Sequence, residues 1–333
     1  MKLLASTILA ALSTQIKAHG DYRQNAIYLE KNFNWGNMYN SIQQALDAGY
    51  NRFYVGFYMS VHGCQGACPD WANLSTEQKQ NVKDLLAQYD ASLYLSVGGP
   101  GEFYENCINS NCGANYGAEA GAFAAQNLFD GVEVALKLAG EATVPSPYAD
   151  NGSFISMAKD IVTNIRSSGN YGLKQVAISS NAPYFSPDFV NGVADYALST
   201  LCLNKNNQQT WAAYDCNLVM FNEDNNYMTY DDIFIKNTFV DPIFGQFGKG
   251  SSVQEIMNLG MDPYAVSVIK PVSEGESSVR NGFVPSEDLG TWGCWAHNTY
   301  AFQGGFIGWT WNSSSDVEMN KVLAFGNNTQ SCD

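Results

Sequence analysis

The chain has 333 residues, 45% of them hydrophobic and 13% aromatic, enough to bury a large core and within the range of one (β/α)8 barrel. Its formal net charge is −15. Removing Lys2 and Lys17 with a cleaved leader that holds no acid takes it from −15 to −17, and so acidic a surface argues against nucleic acid or an anionic membrane as partner while remaining compatible with a neutral oligo- or polysaccharide.

Residues 1–18, MKLLASTILAALSTQIKA, carry a lysine, an apolar run too short to span a bilayer and a small residue at the end. This pattern predicts a secretory signal peptide and an extracellular mature chain, 19–333, in one domain. Apolar runs then recur at intervals that suit strand–helix alternation. Strands are expected at 25–29, 52–59, 92–99 and 131–138, then at 175–182, 217–224, 264–271 and 304–311. Ser75, with Glu77 and Gln78 close behind it, opens a helical run to residue 90. Further helices are expected over 151–168 and 186–201. Eight apolar strands with helical crossovers predict an α/β protein, a single parallel (β/α)8 barrel. The alternative is an open doubly wound sheet, but no glycine-rich phosphate turn follows the first strand.

All eight cysteines lie in the mature chain, and an even count in a secreted protein favours disulfides. Pairing Cys64 with Cys68, Cys107 with Cys112, Cys202 with Cys216 and Cys294 with Cys332 would staple three loops and tie the last helix to the C-terminus. Cross-pairing among the first four is an alternative that spacing leaves open. Cys64 and Cys68 are also close enough for a zinc half-site, but no second close pair with histidines completes one, so no metal or cofactor is expected. Sequons at Asn73, Asn151, Asn312 and Asn327 fit an extracellular route in a host that glycosylates.

The fourth strand, GVEVALKL, raises the functional question. Alternation puts Val132, Val134 and Leu136 on one face and Glu133, Ala135 and Lys137 on the other. The first face suits packing beneath helices. The second would bury a carboxylate and an ammonium, which is costly unless they pair or line a cavity. Two strand steps separate Glu133 from Lys137, and an ion pair in the lumen is expected.

Several stretches together resemble family 18 glycoside hydrolases, most closely the class III chitinase branch of plants and fungi. LYLSVGGPGEFY (93–104) resembles that family's LSxGG strand and loop, and FDGVEVALK lies where the family carries DGxDxDxE. ISSNAPYFSPD, LVMFNED and GGFIGWTWN resemble its fifth, sixth and last strands. The resemblance spans nearly the whole mature chain in order and implies a barrel that binds a chitin-type oligosaccharide at the C-terminal strand ends. It also implies residue roles that this chain has partly lost. The glutamate that protonates the leaving oxygen is replaced by Lys137, and the aspartate that orients the substrate N-acetyl group by Ala135. The earlier aspartates correspond to Glu133 and Asp130, Asn222 replaces the tyrosine that assists the N-acetyl group, and Trp309 matches the tryptophan of the barrel floor.

A lysine starts at about 10.4, and strong burial lowers it by about 3–5 units. So depressed, it is a base rather than the acid that a leaving group needs. The expected function is therefore a secreted, catalytically inactive chitinase-like protein that binds glycan, with Trp309, Tyr58, Tyr184, Asn222 and Glu223 as ligand-contacting residues. Other aromatics near strand ends (Trp35, Phe103, Tyr104, Phe185, Tyr227) are candidates for packing or for the rim.

Other readings stand beside it. Glu30, Glu223 or Asp224 at strand ends would serve a glycosidase with relocated carboxylates, which needs two of them about 5–10 Å apart. A barrel that binds no sugar would be a structural, storage or inhibitor protein. Cleavage after Ala18 would expose His19, as in a copper histidine brace, but that site usually sits on a β-sandwich, which the strand–helix alternation contradicts.

Overall fold

In the computed structural model the chain folds as the alternation predicts. The structure describes residues 24–30, 35–99, 102, 107, 109–136, 151–168, 175–180, 216–221, 229–236, 252–258, 263, 266–276 and 283–311. Eight strands run parallel: β1 (Gln24–Leu29), β2 (Arg52–Met59), β4 (Ser92–Gly98), β5 (Gly131–Leu136), β6 (Gln175–Ser180), β7 (Cys216–Phe221), β8 (Val266–Pro271) and β9 (Gly305–Trp309). β1 bonds to both β2 and β9, Ala26 standing beside Arg52 on one side and Ile307 on the other, which closes the barrel. A two-residue strand, β3 (Gly63–Cys64), turns back antiparallel on β2 outside that ring.

The helices are α1 (Trp35–Asp47), α2 (Cys68–Ala72), α3 (Thr76–Gln88), α4 (Gly113–Gln126), α5 (Asn151–Ser167), α6 (Val253–Asn258) and α7 (Ser286–Tyr300). Each long helix buries one stripe. In α1 that stripe is Met38, Ile42, Ala45 and Leu46, spaced as one face of a helix. The expected N-terminus of α3 is present, with the Ser75 side chain accepting from the Gln78 backbone and the Gln78 side chain accepting from the Ser75 backbone. The α4–α5 contact depends on absent side chains. Gly113, Gly117 and Gly121 lie one turn apart, and a Cβ on Gly117 would stand 2.3 Å from the Ile161 carbonyl oxygen.

The barrel wall separates two apolar clusters. Ile27, Phe53, Leu93, Val132, Val134 and Val176 face the helices, while Ala26, Tyr28, Tyr54, Tyr94, Ala177 and Ile307 fill the lumen. Val132 and Val134 thus take the side expected of them. Cys64 is bonded to Cys68 and Cys107 to Cys112, which excludes cross-pairing and removes the thiolates of any zinc half-site. Cys294 is disulfide-bonded. Cys202 and Cys332, the expected leader over 1–18, His19 and the helix expected over 186–201 lie outside the described residues. No helix among the described residues is long and apolar enough to cross a membrane.

Candidate functional site in the barrel lumen

Strand register builds the site in layers. Ser96, Glu133 and Ala177 are neighbours across β4, β5 and β6, and Gly98, Ala135 and Ser179 form the next layer toward the C-terminal ends. Glu133 is fully buried. The Ser96 hydroxyl donates to one of its carboxyl oxygens and the Ser179 hydroxyl to the other. The Tyr28 hydroxyl is a third neighbour, held off hydrogen-bond geometry. Burial raises the Glu133 carboxyl to about 7, against the lowering effect of Ser179, Ser96 and Tyr28. Near neutral pH the group is divided between acid and carboxylate.

Aromatic rings surround this carboxyl. Tyr28 stacks on Tyr54 with centroids 5.0 Å apart and meets Trp309 at 4.9 Å. Phe57 lies 6.0 Å from Trp309. Space for the Phe57 ring comes from Gly99, whose backbone has φ +91° and where a Cβ would stand 2.4 Å from the Phe57 Cδ1 atom. At the floor, where the strands begin, the Arg52 guanidinium sits 4.6 Å over the Tyr94 ring. Burial pushes the Tyr54 hydroxyl up, with Arg52 offsetting part of the effect.

The sequence-predicted residues divide as follows. Glu133, Ala135 and Trp309 come together in the lumen. Asp130 does not join them: it precedes β5, accepts from the Leu93 backbone at 2.9 Å and pairs with Lys83 of α3, so it anchors a strand. Tyr58, expected at the glycan groove, is half-buried near the C-terminal end of β2. The register of β2 against β4 shifts between Gly56 and Tyr58, which turns Phe57 inward and packs Tyr58 against Phe123 and Tyr116 of α4 at 4.8 and 6.4 Å. Lys137, Tyr184, Asn222, Glu223 and Asp224 lie outside the described residues, and with Lys137 goes the expected ion pair. Glu30 stands one residue past β1, half-buried at the C-terminal end of the strands.

Sequence reasoning missed a second buried carboxylate. Glu102 follows β4 and accepts from the Ser60 backbone at 2.7 Å, from the Ser60 hydroxyl and from the Tyr116 hydroxyl at 3.1 Å, tying the segments after β2 and β4 together. Its position in VGGPGEFY carries no periodic signal. Ser96 and Ser179 were missed as well, although their inward parity is readable: each stands two residues from an inward Tyr94 or Ala177. Among the described residues no group of three or more histidine, cysteine or acidic side chains is placed to hold a metal.

Neither a family model nor a curated protein matches this sequence. The fold does match solved structures. A GH18 chitinase from Pseudoalteromonas aurantia superposes with a TM-score of 0.63 at 13% identity, covering 91% of this chain and 99% of that one. A GH18 chitinase from Cycas revoluta in complex with (GlcNAc)3 gives 0.55 at 10%, covering 92% and 100%. YKL-39, solved in the presence of chitooligosaccharides, gives 0.56 at 9%, covering 92% and 99%. The class defined here is a GH18-like (β/α)8 barrel, and at these identities the likeness is one of fold.

Proposed function

We propose that this protein is a secreted, catalytically inactive chitinase-like barrel that binds chitin-type oligosaccharide at the C-terminal ends of its strands. The observation that carries the reading is Ala135. It occupies the lumen position directly above Glu133, in register with Gly98 and Ser179, where the family resemblance calls for an aspartate. A methyl group neither orients an N-acetyl group nor shares a proton with an acid. Glu133 below it has no solvent-exposed surface and both oxygens occupied by serines, so it is a structural pivot rather than a group that reaches a leaving oxygen. The sequence then supplies Lys137 where the acid is needed.

Binding survives on different parts. Trp309 is buried among Tyr28 and Phe57 with a small exposed edge, and stacking on it needs no acid. Chito-oligosaccharide is the first sugar to try, because two of the similar structures were solved with it. The test is calorimetric titration with chito-oligosaccharides alongside a reducing-end assay: binding without cleavage is expected. Restoring Lys137→Glu alone should give little, and Lys137→Glu with Ala135→Asp and Asn222→Tyr should give more than any one change, since such residues act as a unit. Turnover by the unmodified chain that disappears in Glu30→Gln, Glu223→Gln or Asp224→Asn would replace this reading with relocated carboxylates. Absence of both binding and turnover would favour a structural or inhibitor role.

A further inference from the structure

We propose that Asn73 carries an N-linked glycan on the flank of the barrel, away from the lumen mouth. Asn73, Leu74 and Ser75 form an acceptor tripeptide, and Asn73 is the sequon asparagine whose side chain is described. It is the C-cap of α2, and its backbone N–H is engaged with the Pro69 and Trp71 carbonyls. Its carboxamide is exposed, and no described group bonds to it. Buried Asn127 behaves differently: it uses its carboxamide on both Lys79 and the Phe123 carbonyl.

Ser75 sets the timing. In the folded chain its hydroxyl accepts from the Gln78 backbone at 3.2 Å as the N-cap of α3, so the group that completes the acceptor pattern is occupied once α3 has formed. Transfer therefore belongs to the emerging chain. Placement follows from the flanking residues. Trp71 donates to the Asn127 carbonyl at 2.8 Å and Lys79 to its side chain at 3.0 Å. Asn127 caps the end of α4 that leads into the start of β5, opposite the strand ends where Ala135 and Trp309 stand. A glycan at Asn73 leaves the mouth open.

In the step itself, the Asn73 Nδ2 atom bonds to the anomeric carbon of an oligosaccharide carried on a polyisoprenyl pyrophosphate. The anomeric carbon–oxygen bond breaks, the lipid pyrophosphate leaves with the electron pair, and the amide loses one proton. The inference rests on the secretory reading of residues 1–18. The full chain should be expressed in a eukaryotic secretory host and the peptide containing Asn73 mapped by mass spectrometry before and after peptide-N-glycosidase treatment. The expected result is a glycan at Asn73 whose removal leaves an aspartate there. Asn73→Gln should lose this glycan with an unchanged melting temperature, and Ser75→Ala should lose it and melt lower, because only the second removes the α3 cap. Unmodified Asn73 in chain recovered from the medium overturns the proposal alone. Unmodified chain retained in the cell overturns it together with the secretory reading.

Discussion

The lumen and the helix layer share one wall of eight strands but are filled by different chemistry, and each holds a buried ionisable side chain shifted to about 7, Glu133 in the lumen and Lys270 outside it. The helix layer is mainly aliphatic, with rings such as Phe53 and Trp71 set among the aliphatic side chains, and close-packed to the point of excluding Cβ atoms along α4, yet it holds Lys270. This residue alternates with the lumen-facing Ile269 and lies beside Gly308 on β9. Burial lowers its ammonium to about 7, with Asp232 pulling the other way. The lumen is aromatic and hydroxylated, and it holds Glu133 at about 7 from the other direction. Packing in one region and polar satisfaction in the other are thus separate sources of stability, which the pH response should distinguish.

Lys270 should give the largest effect. A lysine lowered from 10.5 to about 7 leaves the folded chain with fewer bound protons than the unfolded chain between those values, so its contribution to stability is full above 10.5 and is lost as pH falls through 7. At 1.36 kcal/mol per unit this amounts to about 5 kcal/mol. Denaturant titrations across that window should show the rise in the wild type and not in Lys270→Met. Trp71→Ala, which empties a fully buried site and removes a hydrogen bond to the Asn127 carbonyl, should cost about 3–5 kcal/mol at any pH in the same titration.

The lumen carboxyl runs with the opposite sign. Glu133 is raised from 4.5 to about 7, so the stability it contributes is fully present below 4.5 and is lost as pH rises through 7, about 3 kcal/mol in all. Glu133→Gln keeps the shape and cannot ionise. Its stability relative to wild type should therefore grow between pH 4.5 and 7, and a difference that stays flat would show that Glu133 is held charged. The smallest effect belongs to packing. Gly117→Ala places a methyl group against the Ile161 carbonyl and should cost about 1–3 kcal/mol in melting experiments, without altering the pH profile.

Much of this architecture was legible in the sequence. The expected strand at 52–59 is β2 to the residue, and the helix from Ser75 begins at Thr76 behind the expected cap. Strand–helix alternation is a signal summed over many residues, which is why it survives local errors. β3 and α2 are two and five residues long, too short for any period to show. Period-2 counting assumes an unbroken ladder, and the register shift after Gly56 inverts the parity of β2, so that Phe57 joins the lumen cluster. The lumen face of β5 was readable at Glu133 and Ala135, but the partners of Glu133 were not: Ser96 and Ser179 lie 37 and 46 residues away, and only closure of the barrel brings them together.

The central claim is that position 135 and its neighbours leave a sugar site without an acid, and one experiment addresses it directly. The purified mature chain is held with a chito-oligosaccharide across the acid to mildly alkaline range, and bound and cleaved sugar are quantified in the same sample by native mass spectrometry. The account predicts a complex carrying the intact oligosaccharide, with no shorter product at any pH. Shorter oligosaccharides appearing with time, at a rate proportional to protein, would contradict it.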